Sequence, residues 1–251
     1  MNVSSIMKES IETYEEMVEL VIPLGLLVLL VSSFLMLGAT YISAGAGFVR
    51  YQDIVTMNPI SIILFIAISL VGLFAFSFLS VGVTALVKFK RTMDELSFFK
   101  LANRALKYSL RVFVAWFSLS AVSFVIGYVF KSFEVPDILL ALVLVLLWWG
   151  VIFLPQTIVL DDSRLLEGIA SSIRYSLKNP VQLLVYYFIG FVMIFSLTVL
   201  EVLLEAIPAF YWIAPFISSL FLFLFVVPFL EIIKCQYYIS TKYKITKAGL
   251  T

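Results

Sequence analysis

Six times along this 251-residue chain an apolar run continues for about the length needed to cross a lipid bilayer as a helix. The runs cover about 18–37, 60–87, 112–130, 138–160, 181–204 and 209–233. They are continuous instead of alternating, which predicts helices and argues against the strands of a membrane barrel. The breaks carry turn chemistry: Asn58-Pro59, Pro136-Asp137, Asn179-Pro180 and Ile207-Pro208.

Composition agrees. The chain is 63% hydrophobic and 13% charged, against roughly 45–50% and about 25% in soluble domains. A soluble enzyme with one core, a disordered chain, a disulfide-stapled module and a nucleic-acid binder are all excluded. Histidine is absent and cysteine occurs once, as Cys235. The commonest metal ligand and general base is therefore missing, so neither enzyme chemistry nor a metal or cofactor is expected. The acidic start, Glu9, Glu12, Glu15, Glu16 and Glu19 against Lys8, lacks the basic region of a secretory signal. The first run is thus expected to remain a span.

Basic residues orient the spans. With the N-terminus cytoplasmic, only Arg50 and Lys131 of the 17 Lys and Arg fall on the outer side. That split predicts a multi-pass protein of the cell (plasma) membrane with both termini cytoplasmic.

Two cytoplasmic connections resemble each other. Lys107-Tyr108-Ser109-Leu110-Arg111 matches Arg174-Tyr175-Ser176-Leu177-Lys178, and the same offset aligns Asp94-Glu95 with Asp161-Asp162. At 100° per residue Lys100, Arg104, Lys107 and Arg111 form one stripe, and Glu167, Ser171, Arg174 and Lys178 form its counterpart. Each copy reads as an amphipathic helix at the membrane surface. Thr92 with Glu95 makes a capping box for the first, and Asp162 or Ser163 can cap the second. A diverged third copy precedes the first span, with its glutamates opposite Ile11, Tyr14, Val18 and Val21. That acidic helix is either a solvated face or a partner docked on the basic stripe of the second helix. The expected fold is an all-α integral membrane protein: one membrane domain, 1–251, of six transmembrane helices arranged as three hairpins. Each hairpin follows a cytoplasmic surface helix, at about 5–17, 93–111 and 162–178.

The second copy, with the span before it, carries a wider pattern: Phe153-Leu154-Pro155, Ile158-Val159-Leu160-Asp161, Ala170, Arg174-Tyr175-Ser176-Leu177 and Asn179. It resembles the polytopic prokaryotic family related to the membrane domain of glycerophosphodiester phosphodiesterases. The likeness is close over some 30 residues. It implies an archaeal or bacterial membrane protein of this fold without phosphodiesterase chemistry, which belongs to a separate soluble barrel.

Candidate sites are few. Glu201 and Glu205 share one face of the fifth span, near its outer end. They are either an intramembrane ion or proton site or boundary glutamates reaching water, and their depth favours the second. Glu231 and Lys234, one turn apart near the inner end of the last span, are expected to pair and anchor it, with transport coupling the lesser reading. Lys100, Arg104, Lys107, Arg111, Arg174 and Lys178 are candidate contacts for anionic lipid or a partner, against ordinary positive-inside anchoring. Asp161-Asp162 lacks the third acid of a magnesium-diphosphate pattern, and helix capping explains both. Trp148-Trp149 are expected to pack the bundle.

The expected function is transport, permease-like or pore-like. The alternative is a non-transporting scaffold or assembly factor that binds anionic lipid or a partner protein. The expected partners are the bilayer, anionic lipids at the cytoplasmic face, and a second copy or another membrane protein.

Overall fold

The computed structural model describes residues 3–38, 59–92, 98–211 and 213–248. Among them every regular element is helical: α1 (Val3–Gly38), α2 (Pro59–Thr92), α3 (Phe98–Ser132), α4 (Asp137–Val151), α5 (Leu154–Leu160), α6 (Leu165–Lys178), α7 (Pro180–Glu205), α8 (Ala214–Phe221), a π segment (Leu222–Val226) and α9 (Val227–Ala248). Five helical stretches are long and apolar enough to cross a membrane: Ser69–Arg91, Leu101–Ser132, Asp137–Leu160, Pro180–Glu205 and Ala214–Lys242. The chain is an all-α, multi-pass membrane protein. The first apolar run lies on α1, whose side chains beyond Leu30 are outside the described residues.

The second half of α2 forms the centre. Leu79 to Val87 are buried without interruption, as expected of a helix apolar on all sides. Ser77, Ser80, Gly82, Thr84 and Ala85 keep it slim enough for α1, α3, α5 and α9 to pack around it. A Cβ on Gly82 would lie 2.8 Å from Leu24 of α1. Burial is concentrated at one end of the bundle, in Met17 to Val28, Leu101 to Trp116, Val151 to Val159 and Val226 to Ile239. Farther along α3, α4 and α7, residues such as Phe124, Val125, Leu146, Phe188 and Phe195 point outward. In lipid an outward apolar side chain is in its preferred solvent.

The two matching copies fold differently. α3 runs unbroken through Lys107–Arg111 into the apolar stretch, whereas α6 ends at Lys178 and α7 starts at Pro180. The reason is local: Phe113 stands where the second copy has Pro180. Proline disfavours a helical residue before it and takes the first position of a new helix readily. α1 likewise runs straight through both the acidic segment and the start of the apolar one. A separate short helix thus occurs at the second copy, while the first continues into its span.

The acidic half of α1 does dock, but on α2. Glu9 accepts from Arg91 at 3.3 Å and Glu16 pairs with Lys90. Continuous from Val3 to Gly38, α1 meets Lys90 and Arg91 at the basic end of α2. These carboxylates remain largely exposed, so the pairs set register more than they add stability.

Two further helix irregularities bear on the site. The fourth apolar run breaks at Ile152-Phe153, just before Pro155, giving α4 and α5. The last run carries the π segment immediately ahead of Pro228. Pro228 has no N–H for the Leu224 carbonyl, and the Tyr14 hydroxyl of α1 supplies that bond at 2.8 Å.

Candidate functional site

Glu231 and Lys234 stand apart from every other charged pair described. Both are only 4% exposed, and Lys234 Nζ lies 2.6 Å from Glu231 Oε1. The structure adds burial to the pairing expected from their spacing. α9 continues to Ala248, and the residues from Leu230 to Ile239 are all buried. The pair lies inside the densely packed end of the bundle.

Three elements complete the environment. From α2, Ser80 Oγ donates to Glu231 Oε1 at 3.1 Å. From α5, Gln156 Nε2 donates to Glu231 Oε2 at 2.9 Å. Each carboxylate oxygen thus has a donor besides the ammonium. Lys234 reaches the Ile152 carbonyl at 3.4 Å, which the break between α4 and α5 presents. Its ammonium also lies 5.8 Å from the Tyr186 ring centre on α7. Thr84 bonds back to the Ser80 carbonyl at 2.8 Å, the usual way a hydroxyl is satisfied inside an apolar helix. Cys235 Sγ is 3.6 Å from Thr84 Oγ1 and completely buried.

One polar atom in this cluster has no partner. Gln156 is fully buried and its Oε1 makes no hydrogen bond. The amide orientation is set by Nε2 facing the carboxylate, so exchanging N and O would set an oxygen against an anion. The cluster therefore holds an ion pair, a neutral amide with one acceptor free, two hydroxyls and a thiol.

Glu201 and Glu205 lie in the last turn of α7, half-buried, and neither makes a hydrogen bond or ion pair among the described residues. The structure brings no cation to them. The basic stripe divides. Arg104 stacks on Phe89, 4.7 Å from the ring centre. Arg111 donates to the Ser163 carbonyl at 3.2 Å. Lys107 is exposed, and the Lys100 side chain lies outside the described residues. Arg174 and Lys178 open on a cleft against α9.

The two aspartates at the start of the second copy are not caps. Arg164 precedes α6, and its N–H donates to Glu167 at 3.3 Å. Asp161 accepts from Tyr238 at 2.5 Å and pairs with Lys242. Asp162 sits at φ 52°, a region that aspartate tolerates better than most residues. It accepts from the Tyr108 hydroxyl at 2.7 Å. That bond, together with Lys88, Arg111 and Lys107, holds its carboxyl below the usual range despite some desolvation. The two acids point to different partners, and among the described residues no group of three His, Cys, Asp or Glu is placed to hold a metal ion. The Thr92–Glu95 capping box and Asp94-Glu95 fall outside the described residues.

Trp149 packs on Tyr187 at 5.5 Å between ring centres, and Trp148 packs against the main core. Sequence reasoning missed Gln156, Ser80 and Thr84. A lone glutamine directly after Pro155 inside an apolar run was the available signal. Comparison with protein-family models, curated proteins and solved structures finds no match for this chain, so a functional reading must rest on this geometry alone.

Proposed function

We propose that this chain is a prokaryotic plasma-membrane transport protein in which Glu231, Lys234 and Gln156 form the charge-coupling centre. The reading takes six spans in three hairpins with both termini cytoplasmic, and kinship to the phosphodiesterase membrane-domain family through the Phe153–Asn179 pattern. One observation carries it: an ion pair buried where a broken helix and a π-distorted helix meet. Burying two charges in lipid is expensive. Irregular helices at membrane depth commonly surround ion and substrate sites. Removing either partner would leave the other charge buried, Lys234 with only a carbonyl and a ring face, or Glu231 with only Ser80 and Gln156. Glu201 and Glu205, at the far end of α7, are the acids where an ion path would open.

The test is reconstitution of the purified chain in liposomes carrying an interior pH-sensitive dye. A gradient of protons, sodium or potassium is then imposed. Dissipation faster than in empty liposomes is expected, with loss of that flux in Glu231→Gln. Identical traces with and without protein under all three gradients reject proton transport, whether alone or in exchange for sodium or potassium. They would favour the second reading, a scaffold for another membrane protein. That reading draws on the apolar surface that α3, α4 and α7 leave uncovered.

A further inference from the structure

At the end of the bundle where burial is densest, α6, the start of α7 and α9 enclose a cleft of about 210 Å³. That is below the roughly 300–1,000 Å³ of clefts that hold drug-sized molecules. Its walls carry Ser171, Arg174 and Lys178 from α6, Asn179 from the break, and Tyr238 and Lys242 from α9. Arg174 and Lys178 are four residues apart on one helix, so both reach the same side. Both are exposed, and neither has an ion-pair or hydrogen-bond partner among the described residues. Lys242 is the third cation and shares Asp161 with the Tyr238 hydroxyl. The cleft thus has three cations to one carboxylate.

The remaining groups suit an anion. The Ser171 hydroxyl makes no hydrogen bond among the described residues. The positive end of α7 begins beside Asn179. The negative end of α6 arrives there too, but the Asn179 main-chain N–H and side-chain amide both donate to the Tyr175 carbonyl, at 3.1 and 3.0 Å. Tyr175 forms the floor. Burial pushes its hydroxyl pKa up to about 12, so it stays a neutral donor, bonded to the Tyr237 carbonyl at 2.9 Å.

We propose that this cleft binds a phosphate group, carried either by an anionic lipid headgroup or by a soluble phosphate ester. Arg174 supplies a planar fork that matches phosphate oxygens two at a time, and Lys178 and Lys242 supply compact charge. The site stands on its own residues and does not depend on the transport reading.

The test uses the full chain with two probes: inorganic phosphate added to protein in detergent, followed by calorimetry, and phosphatidic acid against phosphatidylcholine in nanodiscs, followed by retention in native mass spectrometry. Saturable phosphate binding identifies a soluble source. Selective retention of phosphatidic acid without it identifies a lipid source. Either should weaken about tenfold for each of Arg174→Gln and Lys178→Gln. The single variant Lys8→Gln, with the same charge change at an exposed position elsewhere, should leave binding within about twofold. Asp161→Asn should strengthen binding, because it removes the carboxylate that pairs with Lys242, and a merely damaged fold would not give that. The proposal is overturned if neither probe is held, or if the control variant weakens binding as much as the cleft variants do.

Discussion

At the scale of single residues, the ion pair sets the largest expected effect. Glu231→Gln leaves the Lys234 ammonium buried beside a neutral amide, and Lys234→Met leaves the carboxylate with only Ser80 and Gln156. Removing one member of a buried pair costs about 3–5 kcal/mol. The double variant removes both charges, so it should be less destabilised than the sum of the singles. Denaturant unfolding of the four proteins in one detergent measures the coupling. Additive losses would mean that the two charges do not stabilise one another. The spacing of Glu231 and Lys234 made their pairing legible in the sequence. Their burial was not, because polar residues from Lys234 onward read as a solvated helix end. What permits α9 to stay buried is satisfaction from Ser80, Thr84 and Gln156, which are distant in sequence and invisible to hydropathy.

At the scale of elements, proline explains where helices break, and neighbouring helices explain why the breaks are tolerated. The prolines were evident, but the groups that compensate them are tertiary. Tyr14→Phe should cost about 1–3 kcal/mol, since it leaves the Leu224 carbonyl without the donor that Pro228 already denies it. The same crossing requires Gly25. A Cβ there would stand 2.6 Å from the Phe223 carbonyl oxygen and 2.8 Å from Leu224, and backbone cannot swing aside as a side chain can. Gly25→Ala should therefore destabilise by about 1–3 kcal/mol. Gly127 on α3 has nothing within 4 Å of its would-be Cβ. Gly127→Ala should be neutral or stabilising by up to about 1 kcal/mol. Thermal unfolding of the three variants decides it, and equal loss at Gly25 and Gly127 would mean that α1 and the π segment do not meet closely. The differing fates of the repeated motif follow the same rule: its matching residues are nearly identical, and one following residue, Phe113 or Pro180, decides whether the helix continues.

At the scale of the whole molecule, the dense end of the bundle gathers the scarce charge. Lys88, Arg91, Arg104, Arg111 and Lys242 all make contacts at that end, whereas the turn from α3 to α4 carries Lys131 and Glu134 at the other. If the dense end is cytoplasmic, two exposed apolar positions report it: Leu166 at the start of α6, 79% exposed, and Phe133 at the α3–α4 turn, 77% exposed. The background is already suitable, because the single native thiol, Cys235, is fully buried and should stay unlabelled until the protein unfolds. A membrane-impermeant maleimide added to intact cells should therefore label Phe133→Cys and leave Leu166→Cys and the wild type untouched. Permeabilising the cells should then expose Leu166→Cys. Labelling of Leu166→Cys from outside, with Phe133→Cys protected, would invert the topology and place the Arg174–Lys178 cleft on the outer face. Labelling of wild-type Cys235 in the folded protein would contradict the packing of α9 against α2, and with it the setting of the ion pair.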